Sequence, residues 1–191
     1  MKIILASDSP RRREILASLG VDFEVISPHI NENTGINDPE KLTAELALLK
    51  GAAVFGKLER EKKSAVVISS DTVVFCGGEI FGKPRDAADA RRMLSALSGR
   101  DHTVYSSVAL TDINGTSCRV CVTGVYFDKI PDAEAERYLC TAEPYDKAGA
   151  YAIQGHAARW VSRIEGDYFG VVGLSVNLLC TLFSERYGVY L

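Results

Sequence analysis

The chain has 191 residues, of which 47% are hydrophobic and 25% are charged, a composition that indicates a folded globular protein and excludes disordered and collagen-like chains. Its formal net charge of −3 excludes an extended basic surface for nucleic acid, so any polyanion would have to meet a local cluster of cations. The length predicts a single domain over residues 1–191, and a small anionic ligand fits these figures better than DNA does.

The pattern of apolar residues predicts alternating strands and helices, with hairpins in the middle of the chain. After a first strand at 2–6 and a helix that Gly20 ends, further elements are expected in this order: strand 22–27, helix 38 or 39 to 57, strand 65–75, helix 86–97, strands 102–112 and 116–127, helix 131–140, one or two short strands within 152–164, and a closing helix 170–186. Because hairpins disfavour a purely parallel sheet, the predicted fold is α/β: a mixed twisted sheet flanked by helices, in two lobes with a central cleft.

The turn after the first strand is a candidate phosphate site. Ser9 suits the N-cap, Pro10 suits the first helical position because it has no N–H to lose, and Gly20 suits a left-handed helix end. The free N–H groups of a first helical turn attract anions, and Arg11 and Arg12 lie in that turn. Two interpretations stay open from this segment alone: a phosphate-binding turn, or a solvated arginine face.

Asp71 interrupts an apolar, β-branched strand, where an unpaired buried carboxylate would be costly. One interpretation is a turn or an edge-exposed aspartate with its hydrogen bonds satisfied. The other is a carboxylate held at a strand end, where it binds a metal or takes a proton from water.

Residues 77–84 match the glycine and lysine spacing of a nucleotide P-loop, but the position that needs a hydroxyl is Pro84. We therefore expect Gly77 and Gly78 to form a hairpin turn. Lys83 then lies at the hairpin exit, either as a phosphate-binding lysine or as a solvated one.

The five cysteines form an odd, scattered set, which predicts reduced thiols in a reducing compartment. Cys118 and Cys121 form one Cys-x-x-Cys pair inside a predicted strand. Residues three apart in a strand point to opposite faces, so this spacing disfavours a shared zinc ion.

The polar segment 143–155 is too irregular for a core element, and loops of this kind either bind something or connect. The amide of Gln154 both donates and accepts hydrogen bonds, so it suits reading the edge of a base, although capping a backbone group suits it equally well.

The end of the chain gives no sign of a membrane span. The longest apolar region, residues 169–183, includes Ser175 and Asn177 and is shorter than the roughly twenty residues that cross a bilayer. No basic leader with an apolar core precedes the first strand. We therefore expect a cytoplasmic protein that does not bind a membrane.

Taken in order, these segments resemble the successive motifs of the Maf family over nearly the whole chain. The matching segments are residues 5–12, 70–74, 82–84, 98–102, 143–144, 146–151 and 153–155. The resemblance implies a nucleoside triphosphate pyrophosphatase with an ITPase-like α/β fold, a divalent metal cofactor (Mg²⁺ or Mn²⁺) and a homodimer. The implied partner is therefore a nucleoside triphosphate substrate, with no nucleic acid.

The resemblance also implies roles for single residues. Asp71 matches the catalytic aspartate of the family and, with Glu32, is an expected metal ligand. The residues that match the substrate-binding positions are Ser9, Arg11, Arg12, Glu32, Lys50, Thr72, Lys83 and Gln154, with Glu32 and Lys50 resting on weaker local matches.

Three of these residues indicate a branch within the family. Arg11, Thr72 and Gln154 resemble the branch that takes dTTP and UTP, whereas the branch that takes 7-methyl-GTP tends to carry tryptophan at the position of Arg11. The alternatives are the same reaction on modified nucleotides such as 7-methyl-GTP, or a non-catalytic nucleotide-binding regulator, because the family is also associated with arrest of cell division.

Three positions depart from the family pattern. Ser70 stands where alanine is usual, Gly51 follows Lys50 in place of alanine, and Ser175 stands where proline is usual. None of these departures removes a catalytic functional group.

Overall fold

The computed structural model describes residues 1–60 and 65–191. Within these residues the strands are β1 (Ile3–Ala6), β2 (Glu24–Val25), β3 (Val66–Cys76), β4 (Glu79–Phe81), β5 (Asp101–Asp112), β6 (Gly115–Phe127) and β7 (Val161–Glu165). The α-helices are α1 (Pro10–Ser18), α2 (Pro39–Arg60), α3 (Ala87–Leu97), α4 (Asp132–Leu139), α5 (Tyr168–Val172) and α6 (Val176–Tyr187). Short 3-10 helices span Glu143–Asp146, Ala148–Ala150 and His156–Trp160.

A single mixed sheet contains these strands, in the order β2-β1-β3-β5-β6-β7, with β4 paired to β3 alone. β1 pairs in parallel with β2 and β3, whereas β3, β5, β6 and β7 form antiparallel pairs. The predicted mixed α/β sheet flanked by helices is therefore confirmed, as is the hairpin turn at Gly115.

The long strand β3 connects the two ends of the sheet. Residues 66–69 of β3 pair with β1, and residues 74–76 pair with β4 on the same edge. The opposite edge pairs with β5 along residues 67–75. Of the described strands, none covers the first edge at residues 70–73, so a gap opens in the sheet beside the middle of β3.

Helix α2 packs closely against one face of the sheet through small and hydroxyl-bearing residues. Ser69 Oγ donates to the Ala47 carbonyl at 2.7 Å, and Ser107 Oγ donates to the Thr43 carbonyl at 2.7 Å. At Gly51 a Cβ atom would lie within 2.9 Å of side-chain oxygens from β3 and β5. These contacts fix α2 on the sheet, and with it the side chains on the same helix face.

The apolar residues of the strands alternate between the two faces, as the period of a strand requires. Ile4 and Val67 belong to a small core beneath α2, whereas Leu5 and Ile68 belong to the larger core. The larger core also contains buried side chains of α1, α3, α4 and α6, such as Phe183.

Three predicted boundaries were wrong. The strand expected at 22–27 covers Glu24–Val25 alone, because it is an exposed edge strand. Within 152–164 a turn and a 3-10 helix precede β7, which begins only at Val161. The closing helix is divided into α5 and α6 because Gly173 adopts a φ of 138°, outside the helical region.

The Cys-x-x-Cys pair of the sequence lies on β6, which is two strands away from β3 in the sheet. Cys118 and Cys121 lie three residues apart on β6, as predicted, and burial raises the pKa of each thiol to about 11. A metal needs the thiolate form, which this environment disfavours.

Among the described helices, none has the length and apolar character of a bilayer span.

Candidate active site

A cavity of about 650 Å³ opens at the gap beside β3. The start of α1, the middle of α2, the exit of β4 and the segment 146–154 form its walls. The nine residues predicted for the site from the sequence all line it: Ser9, Arg11, Arg12, Glu32, Lys50, Asp71, Thr72, Lys83 and Gln154. The fold therefore brings together every residue of the predicted set.

The start of α1 offers backbone donors to this cavity. Ser9 occupies the N-cap position and Pro10 the first helical position, as predicted. The Ser9 side chain makes no capping bond, and its N–H donates to Ser7 Oγ at 3.1 Å. The first intrahelical bond runs from Arg13, so the N–H groups of Arg11 and Arg12 have no acceptor within the helix. They are available to an anion in the cavity.

Arg12 is held rigidly against the loop between α5 and α6. Its Nε donates to the Gly173 carbonyl at 2.8 Å, and its Nη2 donates to Thr72 Oγ1 at 3.3 Å. The Ser70 hydroxyl donates to the same carbonyl at 2.9 Å. The departure at Ser70 thus adds a further donor to the carbonyl that orients Arg12.

Asp71 is the sixth of the eleven residues of β3. The prediction that it lies at a strand end was wrong, but the neighbouring β1 ends at Ala6, which pairs with Ser69, so the Asp71 side chain still reaches the cavity. Asp71 is 7% exposed, and its Oδ1 accepts a hydrogen bond from Lys50 Nζ at 2.6 Å. Burial raises the pKa of Asp71, although the nearby Lys50 and Arg12 charges oppose the rise.

Lys50 connects Asp71 to Glu32. The ammonium lies 2.6 Å from Asp71 Oδ1 and 2.8 Å from Glu32 Oε1, and Lys50 is 7% exposed. Partial burial raises the pKa of Glu32, but the hydrogen bond and charge of Lys50, with the charges of Lys83 and Arg12, lower it overall. Both carboxylates therefore have a cation that offsets the cost of placing them together.

The donor set at this point fits a hard divalent cation. Asp71 and Glu32 place carboxylate oxygens within hydrogen-bond distance of one ammonium, so the two groups lie near each other. Mg²⁺ is commonly bound by one or two carboxylates together with substrate phosphates and waters. Among the described residues, no group of three or more His, Cys, Asp or Glu side chains forms an all-protein cage.

Lys83 lies beyond the β3–β4 hairpin, as predicted. Gly77 and Gly78 form the turn, with φ values of 59° and 85°, and Lys83 follows β4 as an exposed side chain on the cavity wall. The stretch that matched a P-loop in spacing is therefore a hairpin.

The cavity wall also includes Arg11, Gln154 and two residues, Asp146 and Lys147, to which the sequence assigned no role. Arg11 Nη2 lies 3.2 Å from Asp146 Oδ2, and Asp146 also pairs with Lys147 at 2.5 Å. Gln154 is an exposed residue of a turn; the preceding Ile153 is buried and the following Gly155 is partly exposed. Asp146 and Lys147 belong to the polar segment 143–155 that the sequence analysis identified, but the sequence did not predict that they form an ion pair.

The comparisons with known proteins show the family of the chain. The family model described as Maf-like protein matches residues 2–186. The chain is 43% identical to the dTTP/UTP pyrophosphatase of Thermoanaerobacter sp. (strain X514), with 100% of each chain covered. It is 46% identical to the dTTP/UTP pyrophosphatase of Chromobacterium violaceum, over 96% of this chain and 94% of that one.

A solved structure shares the fold. The Ham1 protein of Staphylococcus aureus matches with a TM-score of 0.54 at 16% identity, over 97% of this chain and 100% of that one. This likeness confirms the type of fold that the family resemblance implied.

Proposed function

Because the chain belongs to the Maf-like protein family, we propose that it is a nucleoside triphosphate pyrophosphatase that hydrolyses dTTP and UTP to the monophosphate and pyrophosphate. The observation that carries this proposal is the meeting of the Asp71 carboxylate with Arg12, Lys50 and Lys83 on one cavity. The relatives named as dTTP/UTP pyrophosphatases, matched over 94% or more of their length, support the substrate class.

The phosphates bind on the side of the cavity formed by α1 and β4. A triphosphate carries several negative charges, which the Arg12 guanidinium, the Lys83 ammonium and the N–H groups at the start of α1 stabilise. Arg12 is oriented by the Gly173 carbonyl before substrate binds, so less side-chain freedom is lost on binding.

Hydrolysis takes place at the α-phosphorus. Asp71 accepts a proton from the attacking water, whose oxygen bonds to the α-phosphorus while the bond to the bridging oxygen of the β-phosphate breaks. The raised pKa of Asp71 makes it a stronger base than an exposed carboxylate. Lys50 bonds to Oδ1 and thereby fixes the orientation of the carboxylate. The charge on the departing pyrophosphate is met by the same cations.

We also propose that Asp71 and Glu32 hold a divalent cation, Mg²⁺ or Mn²⁺, as their donor chemistry favours. When bound, it supplies positive charge to the phosphate oxygens. Lys50 bonds to both carboxylates and keeps them close together, which suits such a site.

The base lies at the end of the cavity with Arg11, Thr72 and Gln154. Arg11 and Gln154 both line the cavity, and the relatives named as dTTP/UTP pyrophosphatases support the pyrimidine branch. Thr72 Oγ1 accepts a hydrogen bond from Arg12 and contacts Ser106 Oγ, so its side chain is held beside Arg12.

The test is incubation with dTTP, UTP, CTP, GTP, ATP and 7-methyl-GTP plus Mg²⁺ or Mn²⁺, with products resolved by anion-exchange chromatography. We expect monophosphate and pyrophosphate, with dTTP and UTP hydrolysed at least about tenfold faster than GTP and ATP, or about 1.4 kcal/mol of discrimination. Equal rates on all substrates contradict the branch, and tight binding without turnover favours the regulator.

The family resemblance also supports a cytoplasmic homodimer as part of this proposal. The five cysteines, at residues 76, 118, 121, 140 and 180, are free, which suits a reducing compartment. Light scattering after size-exclusion chromatography measures the oligomer directly, and a monomer at micromolar concentration contradicts the dimer.

A further inference from the structure

The turn that carries Gln154 is held by the side chain of Glu143. Both carboxylate oxygens of Glu143 accept the N–H of His156, Oε1 at 2.9 Å and Oε2 at 3.2 Å. The carboxylate also covers Gly155, where a Cβ would overlap it. Hydrogen bonds to a charged acceptor are stronger than neutral ones, so this contact fixes the backbone immediately after Gln154.

The backbone of Glu143 is also connected to Arg11, through Lys147 and Asp146. Its carbonyl accepts a hydrogen bond from Lys147 Nζ at 2.5 Å, and Lys147 Nζ lies 2.5 Å from Asp146 Oδ1. Asp146 in turn lies 3.2 Å from Arg11 Nη2. The short 3-10 helix that begins at Glu143 therefore connects the two groups placed to recognise the base.

A second contact restrains the other side of the Gln154 turn. Tyr138, buried on α4, accepts the N–H of Ala152 through its hydroxyl at 3.2 Å. The turn is thus held on both sides of Gln154, by Tyr138 before it and by Glu143 after it. Neither Glu143 nor Tyr138 is among the residues that line the cavity.

We propose that Glu143 is a positioning residue for base selection: its carboxylate sets the backbone of the Gln154 turn and so the direction of the Gln154 amide. This inference rests on the proposed pyrimidine triphosphate specificity. Glu143 does not line the cavity, and its hydrogen bonds go to Thr141, Lys147 and His156, not to Asp71 or Lys50. Loss of the carboxylate therefore affects the preference between bases and leaves the reaction at the α-phosphorus in place.

The experiment measures kcat and KM for dTTP, UTP and GTP in the wild type, four test variants and one control variant. In Glu143→Ala we expect kcat/KM for dTTP and UTP to fall about tenfold and that for GTP to change less than about twofold. Glu143→Gln keeps one acceptor oxygen for the His156 N–H, so its preference stays within about threefold of the wild type.

Gly155→Ala tests the same contact from the backbone side. The new methyl group displaces the Glu143 carboxylate, so the variant loses about as much selectivity as Glu143→Ala. In the double variant Glu143→Ala/Gly155→Ala the carboxylate that the methyl group would overlap is gone, and we expect no further loss, because both changes break one interaction. Glu136→Ala is the matched control, since Glu136 pairs with Arg91 on the surface near this segment.

Specific outcomes overturn the inference. A selective wild type with an equally selective Glu143→Ala overturns it while the proposed function stands. An equal loss on every substrate also overturns it, because that pattern indicates a general structural role. A wild type that hydrolyses dTTP and GTP equally well overturns both this inference and the proposed specificity. Additive losses in the double variant show that Glu143 and Gly155 act separately and overturn it as well.

Discussion

The two ends of the cavity are built by different means. At the phosphate end, Asp71 and Lys50 extend from the middle of a long strand and a long helix and form a buried ion pair. At the base end, Gln154 lies in a turn among short 3-10 helices and is held through backbone contacts. Regular elements thus place the reacting groups, whereas a few hydrogen bonds place the recognising groups.

This difference gives a general expectation. A change at the phosphate end alters turnover by the same factor on every substrate, because all triphosphates share the reacting atoms. A change at the base end alters the preference between substrates. A substitution at the phosphate end can also lower activity without lowering stability, because the buried charged groups there form ion pairs with one another.

The largest expected effect is that of Asp71→Asn. The amide keeps the shape of the side chain and its acceptor for Lys50, but it removes the base, so turnover falls about a thousandfold on every triphosphate. The melting temperature changes little, because Lys50 keeps its ion pair with Glu32. Steady-state kinetics with a thermal melt measure both quantities, and near-normal turnover contradicts the catalytic assignment.

Asp112→Asn is the matched control for that variant. Asp112 at the end of β5 is 6% exposed, against 7% for Asp71, and it bonds to Arg186 and Tyr187 outside the cavity. We expect the free energy of unfolding to fall by about 1–3 kcal/mol with turnover unchanged. The opposite pattern in the two aspartates distinguishes a catalytic carboxylate from a structural one.

The phosphate end is the part that the sequence predicted well. A polar residue in an apolar strand, such as Asp71, or two arginines at a helix start leave a local signal. The base end was less predictable, because its geometry depends on contacts between Glu143 and Gly155 or between Arg11 and Asp146, which periodicity does not encode. The split at Gly173 was missed for the same reason, since that carbonyl serves Arg12 from a distant part of the chain.

The second prediction concerns the stability of the fold at acidic pH, which depends on the buried residue His102. His102 is buried on β5, its Nε2 lies 2.8 Å from the Tyr151 hydroxyl, and among the described residues its Nδ1 has no partner. Burial lowers the pKa of His102 to about 4 from an ordinary 6.5. Between these values the unfolded chain binds a proton that the folded chain does not, so stability falls as the pH falls.

Urea denaturation measures this effect. Between pH 7.5 and pH 5 we expect the His102 contribution to lower the free energy of unfolding by about 2 kcal/mol. His102→Gln removes the titrating group and should lose that part of the pH dependence. A variant with the same pH dependence as the wild type shows that acid acts elsewhere.

The smallest effects come from two glycines on α2, and they test how the helix places Lys50. At Gly51 a Cβ would lie 2.7 Å from Thr111 Oγ1 and 2.9 Å from Ser69 Oγ, so Gly51→Ala forces the helix away from the sheet. We expect a loss of about 1–2 kcal/mol of stability, because overpacking outweighs the gain in helix propensity. Lys50 moves with the helix, so turnover falls equally on all substrates.

Gly56→Ala is the control on the same helix. Apart from its chain neighbours and the backbone of its own helix, no atom of the described residues lies within 4 Å of a Cβ at Gly56, so the substitution gains about 0.5–1 kcal/mol from helix propensity alone. Chemical denaturation should therefore give changes of opposite sign at the two positions. If Gly51→Ala also stabilises the protein, the close helix–sheet contact does not set the position of Lys50. If it instead changes the ratio of dTTP to GTP hydrolysis, the two ends of the cavity are coupled through α2 rather than built independently.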